Sequence, residues 1–349
     1  PRRPPTPPAA ARLIPPCHSE GYFCPYTRRL AALAIPEPGP GEVLLRVEAV
    51  ALNSRDWQMI EGAYNPRQPL PLVPCSDGVG RVEALGPGVG GIEVGDRVCT
   101  LMAPEWTAGP PRRELIRSTL GGPRDGALAQ YLVLPASGAV PCPPALTAAE
   151  GATLGVAGLT AWSALVSHGG VTAGDTVLTL GTGGVSIFAL QLGVLLGARV
   201  IVTSSSDAKL ARARELGAWR TINYRDTPEW GREVQTLTEG RGADLVVEVG
   251  GAGTLEQSIR AVAIGGTIAL IGVLSSRQAE LNVVPVFMRQ VRLQGVLVGH
   301  RRAFEEMGRA IEAHDLHPVV DRVFPFEEAP EAIRQLRSGA HFGKVCVEV

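Results

Sequence analysis

The stretch Val177-Leu178-Thr179-Leu180-Gly181-Thr182-Gly183-Gly184-Val185-Ser186 decides the fold. Four apolar or β-branched residues make a short buried strand, and glycines follow at once. A helix is predicted behind them, with Val185, Phe188, Ala189, Leu192 and Leu196 sharing one face. Gly181 lets the chain turn tightly off the strand, and Gly183 has no side chain to hold a pyrophosphate away from the backbone. The helix N-terminus then presents free N–H groups and a partial positive charge to phosphates. Ser186 takes the position of a third glycine and is small enough for close helix–strand packing. An ordinary tight turn is the competing reading; the strand, the helix and the next strand in register favour a dinucleotide site.

Moving outward, Gly197 closes the helix and residues 199–203 form the next strand. Its end, Thr203-Ser204-Ser205-Ser206, holds no acid before Asp207, which starts another helix. A carboxylate there would accept hydrogen bonds from a ribose 2′-OH and repel a 2′-phosphate. Ser204, Ser205 and Lys209 instead offer hydroxyls and a cation, and Tyr224 adds a phenol, so NADPH is favoured over NADH. Helix capping by the serines and a solvated face for Lys209 are the alternative. Further strands at 245–249, 267–271 and 291–298, with a helix at about 254–263, imply a parallel sheet covered on both faces. The cofactor set is completed by Thr182, Gly184 and Val185 in the turn, Thr203, and Val249, Gly272 and Val273 at the later strand ends.

The N-terminal half has a different rhythm. From Glu42, Val43, Leu45, Val47 and Ala49 alternate as in a half-buried strand, and residues 78–98 are broken by frequent glycines. That pattern suggests a small antiparallel barrel or sandwich. The last 50 residues carry helices at about 304–313 and 327–337 and a strand at 344–349, expected to fold back on this first domain.

Composition narrows the function. With 45% hydrophobic residues the chain can build a large core, and Lys+Arg 33 against Asp+Glu 34 leaves no basic excess for nucleic acid. The apolar stretch 185–202 is interrupted by Gln191, Gly193, Gly197 and Arg199, so no membrane span is read. The six cysteines include no C-x-x-C pair, and His314 and His317 read as an exposed helix end rather than a metal site. Sparse thiols fit a reducing, cytoplasmic compartment. Seven prolines among the first 16 residues predict a disordered tail over 1–20 and no targeting helix; with no initial Met, a trimmed or processed chain is expected.

Several further motifs carry a family resemblance. They are Pro38-Gly39-Pro40-Gly41-Glu42-Val43, Ala51-Leu52-Asn53-Ser54-Arg55-Asp56, Asp77-Gly78-Val79-Gly80-Arg81-Val82, Gly95-Asp96-Arg97-Val98, Gly158-Leu159-Thr160-Ala161-Trp162 and His341-Phe342-Gly343-Lys344-Val345. Together with the 181–185 turn they resemble the medium-chain dehydrogenase/reductase superfamily, especially its zinc-free, quinone oxidoreductase-like and alcohol dehydrogenase-like branch. The resemblance spans roughly residues 36–349 and implies an α/β fold: a Rossmann doubly wound parallel sheet over 148–300 and a GroES-like β-barrel catalytic domain over 21–147 and 301–349, with the active site in the cleft between them. Zinc-dependent members place a Cys at the position of Asn53, a His-Glu pair at Ser76-Asp77, and a four-cysteine lobe after Cys99. Asn and Ser are poor zinc ligands and no cysteine lies between Cys99 and Cys142, so no metal is expected.

Without zinc, the oxygen that gains charge on hydride transfer needs hydrogen-bond donors or a proton. By resemblance, Asn53 offers an amide, Tyr64 a hydroxyl, and Asp56 orients its neighbours; Thr160 and Trp162 lie near the nicotinamide and Lys344 near the cofactor phosphates. A turn former, loop packing, a helix cap and a surface lysine are the respective plain alternatives for Asn53, Tyr64, Asp56 and Lys344. Residues 101–122 replace the metal lobe and are expected to form a substrate-facing flap. The expected activity is NADPH-dependent reduction of a small carbonyl, enone or quinone, or the reverse oxidation of an alcohol. A catalytically silent NADPH-binding protein on the same scaffold is the alternative, and a methyltransferase is disfavoured by the missing strand-end acid. A homodimer is expected through strand 291–298, where family members pair edge to edge.

Overall fold

The strands of the described residues sort into three sheets, and the two large ones follow the change of rhythm along the chain. The computed structural model describes residues 10–14, 29–275, 278 and 280–349. These divide into two compact units, one running to Val156 and resuming over His300–Val349, the other Ala157–Gly299.

In the first unit, β1 (Ala10–Ile14) pairs antiparallel with β2 (Arg29–Leu33) as a two-stranded sheet. This corrects part of the expected tail. Between Pro8 and Pro15 the run 10–14 has no proline, so every residue keeps its N–H for pairing. The remainder of the expected tail, 1–9 and 15–20, lies outside the described residues. Then come β3 (Glu42–Ala51), β4 (Asp77–Leu85), β5 (Arg97–Thr100), β6 (Tyr131–Pro135) and β7 (Ala139–Pro141). β3 pairs antiparallel with β4 and β6, and β5 with β4 and β7.

The second unit holds β8 (Thr176–Leu180), β9 (Arg199–Ser204), β10 (Arg220–Asn223), β11 (Ala243–Glu248), β12 (Val262–Leu270) and β13 (Arg292–Gly295). All pairs are parallel, in the order β10-β9-β8-β11-β12-β13. The chain runs from β8 outward to β10, then returns to the other side of β8. The direction of winding therefore reverses between β8 and β11, where open α/β sheets form a crevice at the carboxyl ends of their strands. The helix Gly184–Leu195 differs from its expected single apolar stripe: Ile187, Phe188, Ala189, Leu190 and Leu192 are all buried. It packs on β8 and β9 and also against the helix Leu159–Trp162, so more than one face is covered. The strand expected over 291–298 is shorter, ending at Gly295.

The chain then re-enters the first unit through β14 (Val320–Pro325) and β15 (Lys344–Glu348). β15 pairs with β3, Cys346 opposite Ala51, so the last strand does fold back on the first-unit sheet. The core mixes both segments: Val43, Leu45, Val47, Leu128 and Leu132 pack with Phe324, Val345 and Val347.

Gly80 shows how tightly β3 and β4 approach, since a Cβ there would fall on the Arg46 carbonyl and lie 3.0 Å from Val47 Cα. Substituting Gly80→Ala should lower the unfolding free energy by about 1–3 kcal/mol, read from the urea midpoint. An unchanged midpoint would show that the two backbones separate freely.

Candidate functional site

In the second unit, the carboxyl end of β8 leads into the glycine turn. Gly181 has φ +73°, the left-handed region that glycine alone adopts cheaply, and Gly183 caps the helix with extended backbone. The turn is tied down on both sides: Gly181 N donates to Thr203 Oγ1 at 3.3 Å, and Ser186 Oγ to the Leu180 carbonyl at 2.6 Å. The third-glycine position is thus used for a strand–helix hydrogen bond as well as close packing. The helix has no side-chain cap, and Ile187 N to Gly183 O is the first helical bond, so among the described residues the helix-terminal N–H groups that precede it have no partner and are open to an anion. Thr182 is buried, and Gly183, Gly184 and Val185 are half-buried.

At the neighbouring strand end Ser204 is a hub. Its carbonyl accepts from Tyr224 N at 3.0 Å and its hydroxyl from Ser206 N at 3.3 Å. Ser206 caps the next helix by accepting from Lys209 N, so the backbone of Lys209 follows closely on the strand end. The first acid, Asp207, accepts from Asn223 Nδ2 at 2.9 Å. Across the reversal point, Val249 and Gly272 touch: a Cβ on Gly272 would strike the Val249 carbonyl. Val273 is exposed beside them, whereas Thr160 and Trp162, in the helix Leu159–Trp162, are buried. Sequence reading missed Glu248. Its fully buried carboxylate accepts from Gly250 N (2.7 Å), Gly251 N (3.0 Å), Thr254 Oγ1 (2.7 Å) and Ser258 Oγ, and so fixes the loop beyond β11. The one available signal was an acid closing an apolar strand just before two glycines.

The first unit gathers the residues expected to do chemistry. Asn53 N donates to Asp56 Oδ2 at 2.7 Å, closing the start of the helix Ser54–Ile60, so Asp56 does serve as a cap. The Asn53 amide is fully engaged: Nδ2 donates to Asp77 Oδ2 (2.9 Å) and to the Ala51 carbonyl (3.3 Å), and Oδ1 accepts from Lys344 Nζ (2.7 Å). Lys344, expected beside the phosphates, is 3% exposed; its ammonium donates to the Leu52 carbonyl at 2.8 Å and sits 3.7 Å from Asp77 Oδ2. Arg55, part of the Asn53 motif but given no role from sequence, is buried and donates to Ser76 Oγ and to the Leu120 carbonyl. Tyr64 is 45% exposed, its ring centroid 5.1 Å from the Arg55 guanidinium carbon.

Burial governs the protonation of this cluster. It pushes the Asp77 carboxyl up to about 7, outweighing the opposing pull of Lys344 and of the Asn53 hydrogen bond; Asp77 Oδ1 has no donor among the described residues. Asp56 is raised for the same reason, against the pull of Arg55, and the Cys75 thiol is pushed well up. These residues do not fit a zinc ion. The amide and hydroxyl at 53 and 76 are occupied by protein partners, and a dication at Asp77 would face the Lys344 ammonium. His317, from the histidine pair, bonds Glu150 Oε1 at 2.9 Å on the surface.

The expected flap is anchored at its base: Arg301 N and Arg302 N, at the start of the helix Arg301–Ala313, donate to the Trp106 and Thr107 carbonyls at 3.0 and 3.1 Å. Its far end, Thr119 to Gly122, meets Arg55.

A raised Asp77 predicts a pH effect of definite sign. Between about pH 4 and pH 7 the folded chain keeps a proton that the unfolded chain has released, so this group's contribution to stability declines as pH rises through that window. Asp77→Asn cannot titrate, and its melting temperature should therefore gain on the wild type from about pH 5 to about pH 8. A gap that stays constant or moves the other way contradicts the assignment.

Comparison with known proteins places this geometry. The alcohol dehydrogenase GroES-like domain matches residues 39–144, and the zinc-binding dehydrogenase domain matches residues 184–313. A zinc-type alcohol dehydrogenase-like protein of Schizosaccharomyces pombe is 44% identical over 316 residues, 89% of this chain and 91% of its own. The quinone oxidoreductase of Sus scrofa is 28% identical over 86% of each chain. A crystal structure of an NAD-dependent alcohol dehydrogenase superposes with a TM-score of 0.88 at 39% identity, covering 97% of this chain and 99% of that one. With the reversed parallel sheet, the open glycine turn and the mixed sheet of the first unit, these likenesses show that the chain belongs to the medium-chain dehydrogenase/reductase superfamily and is an oxidoreductase of that type.

Proposed function

We propose that this oxidoreductase uses NADPH, works without catalytic zinc, and passes hydride between the nicotinamide and a small carbonyl, enone, quinone or alcohol. The observation that carries the cofactor choice is the end of β9. Ser204 ends the strand, Ser205 follows, Lys209 stands in the first turn of the next helix, and the carboxylate of the first acid, Asp207, is turned to Asn223. Hydroxyls and an ammonium suit a 2′-phosphate, and a carboxylate does not. The phosphates are assigned to the 181–185 turn, and Val249, Gly272 and Val273 to the nicotinamide end of the crevice. The zinc-free reading is supported by the occupied donors of Asn53 and Ser76.

One named relative argues for a second reading, since the structure 39% identical to this chain is that of an NAD-dependent enzyme. The catalytically silent NADPH binder is separated from both readings by turnover. A homodimer is proposed through β13, the edge of its sheet, beside which Val283, Val284, Phe287 and Met288 are exposed. Free, buried Cys75, Cys99, Cys142 and Cys346 support a reducing, cytoplasmic compartment. Among the described residues no helix is long and apolar enough to cross a membrane.

Titration with NADPH and NADH, followed by nicotinamide fluorescence and then by turnover on quinones, enones, aldehydes and alcohols, tests the reading. NADPH should bind at least about tenfold more tightly, the worth of one charge-assisted hydrogen bond. Ser204→Asp should abolish that preference while leaving NADH binding intact. Tighter binding of NADH by the wild type overturns the cofactor assignment, and tight NADPH binding with no turnover favours the silent binder. In sedimentation, Phe287→Glu should halve the mass of a dimeric wild type; a monomeric wild type ends the dimer proposal.

A further inference from the structure

At the carboxyl ends of β11 and β12 two loops, 249–254 and 271–275, are bonded to each other. Ile271 N and Gly272 N donate to the Glu248 carbonyl at 2.9 and 3.3 Å, carrying the ladder past Leu270. Ser275 closes the pair. Its N and its hydroxyl both donate to the Gly250 carbonyl, at 2.8 and 2.6 Å, and its Oγ accepts from Gly253 N at 3.1 Å. The fully buried Glu248 carboxylate fixes the first loop, with Gly250 N, Gly251 N and Thr254 Oγ1 on Oε1 and the hydroxyl of Ser258, in the helix Leu255–Ala261, on Oε2. Loops are ordinarily the mobile parts of a fold, and these bonds remove conformational freedom before any ligand arrives.

The surface that the fixed loops present is apolar. Val273 is 47% exposed and Leu274 62%, and Val249 is half-buried against Gly272. Adjacent aliphatic side chains held in solvent on a tied backbone offer a face for a ligand to cover. The strand order indicates which ligand. The dinucleotide reading puts adenosine at the end of β9 and the phosphates on the turn after β8, and β11 and β12 come next in the sheet. A molecule continuing across the strand ends in that direction meets these loops with its nicotinamide half. Every residue of this reasoning lies in the unit Ala157–Gly299.

We propose that Glu248 and Ser275 are positioning residues for the nicotinamide half of the coenzyme: they hold loops 249–254 and 271–275 in the shape that receives it. The inference rests on the dinucleotide reading above and deepens it by naming the residues that set one half of the site. Neither side chain has to touch the coenzyme. Loops released from the clamp would have to be ordered at each binding event, and that cost falls on the nicotinamide half alone.

Calorimetric titration with NADPH and with adenosine 2′,5′-bisphosphate, which lacks the nicotinamide half, tests this. Ser275 is exposed, so Ser275→Ala should shift the melting temperature by no more than about 2 °C. It should weaken NADPH about five- to tenfold, the worth of the lost hydrogen bonds, and leave the bisphosphate unchanged. Glu248→Ala should show the same split. Glu248→Gln keeps an acceptor for the loop and can donate to the Ser258 hydroxyl, so it should bind NADPH within about threefold of the wild type. A merely structural role would weaken both ligands alike. Either alanine variant that folds and binds NADPH as the wild type does, or weakens both ligands alike, overturns the proposal, and so does a Glu248→Gln no better than Glu248→Ala. Should Glu248→Ala fail to fold, Ser275→Ala decides. If the wild type prefers NADH, the same split is required between NADH and ADP, and the choice of coenzyme falls without the inference. A wild type that binds neither coenzyme overturns the dinucleotide reading and the inference together.

Discussion

Burying two cations and two carboxylates together is tolerable only if each finds partners, and that requirement organises the first unit. Lys344 opens β15, Asn53 follows β3 and caps the helix Ser54–Ile60, Asp56 lies in that helix, and Asp77 opens β4. One chain of contacts, Lys344 to Asn53 to Asp77, therefore holds the ends of three strands and a helix at one point. Replacing any member by an apolar residue leaves another charge buried without compensation, which costs far more than the pair contributes when intact. Arg55 and the 119–122 segment attach to the same centre through Ser76.

The second unit applies the opposite rule. Where the first unit ties most of its central polar atoms to one another, the 181–185 turn leaves helix-terminal N–H groups without a partner among the described residues at the mouth of the sheet. Unsatisfied donors are a liability in a core and an advantage at an anion site. Glu248 shows how the fold limits this openness, because it spends three donors of the adjacent loop and the Ser258 hydroxyl of the following helix on one buried carboxylate. A rigid loop on one side of β8 and a hydroxyl-rich corner on the other leave the glycine turn as the open element.

The second unit was the more legible from sequence because its signals are local. Three apolar residues and a threonine, three glycines and a helix lie together in the chain, and each strand announces its end by a turn or a cap. The hydroxyls after β9 were read for the same reason. The first-unit centre was legible only in part: Asn53, Asp56 and Tyr64 were named, but not what they touch. Lys344 meets Asn53 across 291 residues, and Arg55 reaches Thr119 across 64, distances over which no periodicity carries information. Lys344 was read as a surface cation or phosphate ligand because lysine is rarely buried, and only the pairing of β15 with β3 carries it inward. The strand Ala10–Ile14 was hidden by the prolines around it.

A double-mutant cycle between Lys344 and Asp77 bears most directly on this picture. Unfolding free energies are needed for the wild type, Lys344→Met, Asp77→Asn and the double variant, above the pH at which Asp77 ionises. Lys344→Met alone should cost about 3–5 kcal/mol, and at least about 1 kcal/mol of that should vanish once Asp77 is neutral. Costs that add to within about 0.5 kcal/mol would mean that the two charges do not depend on one another, and the centre would lose its claim to organise the unit.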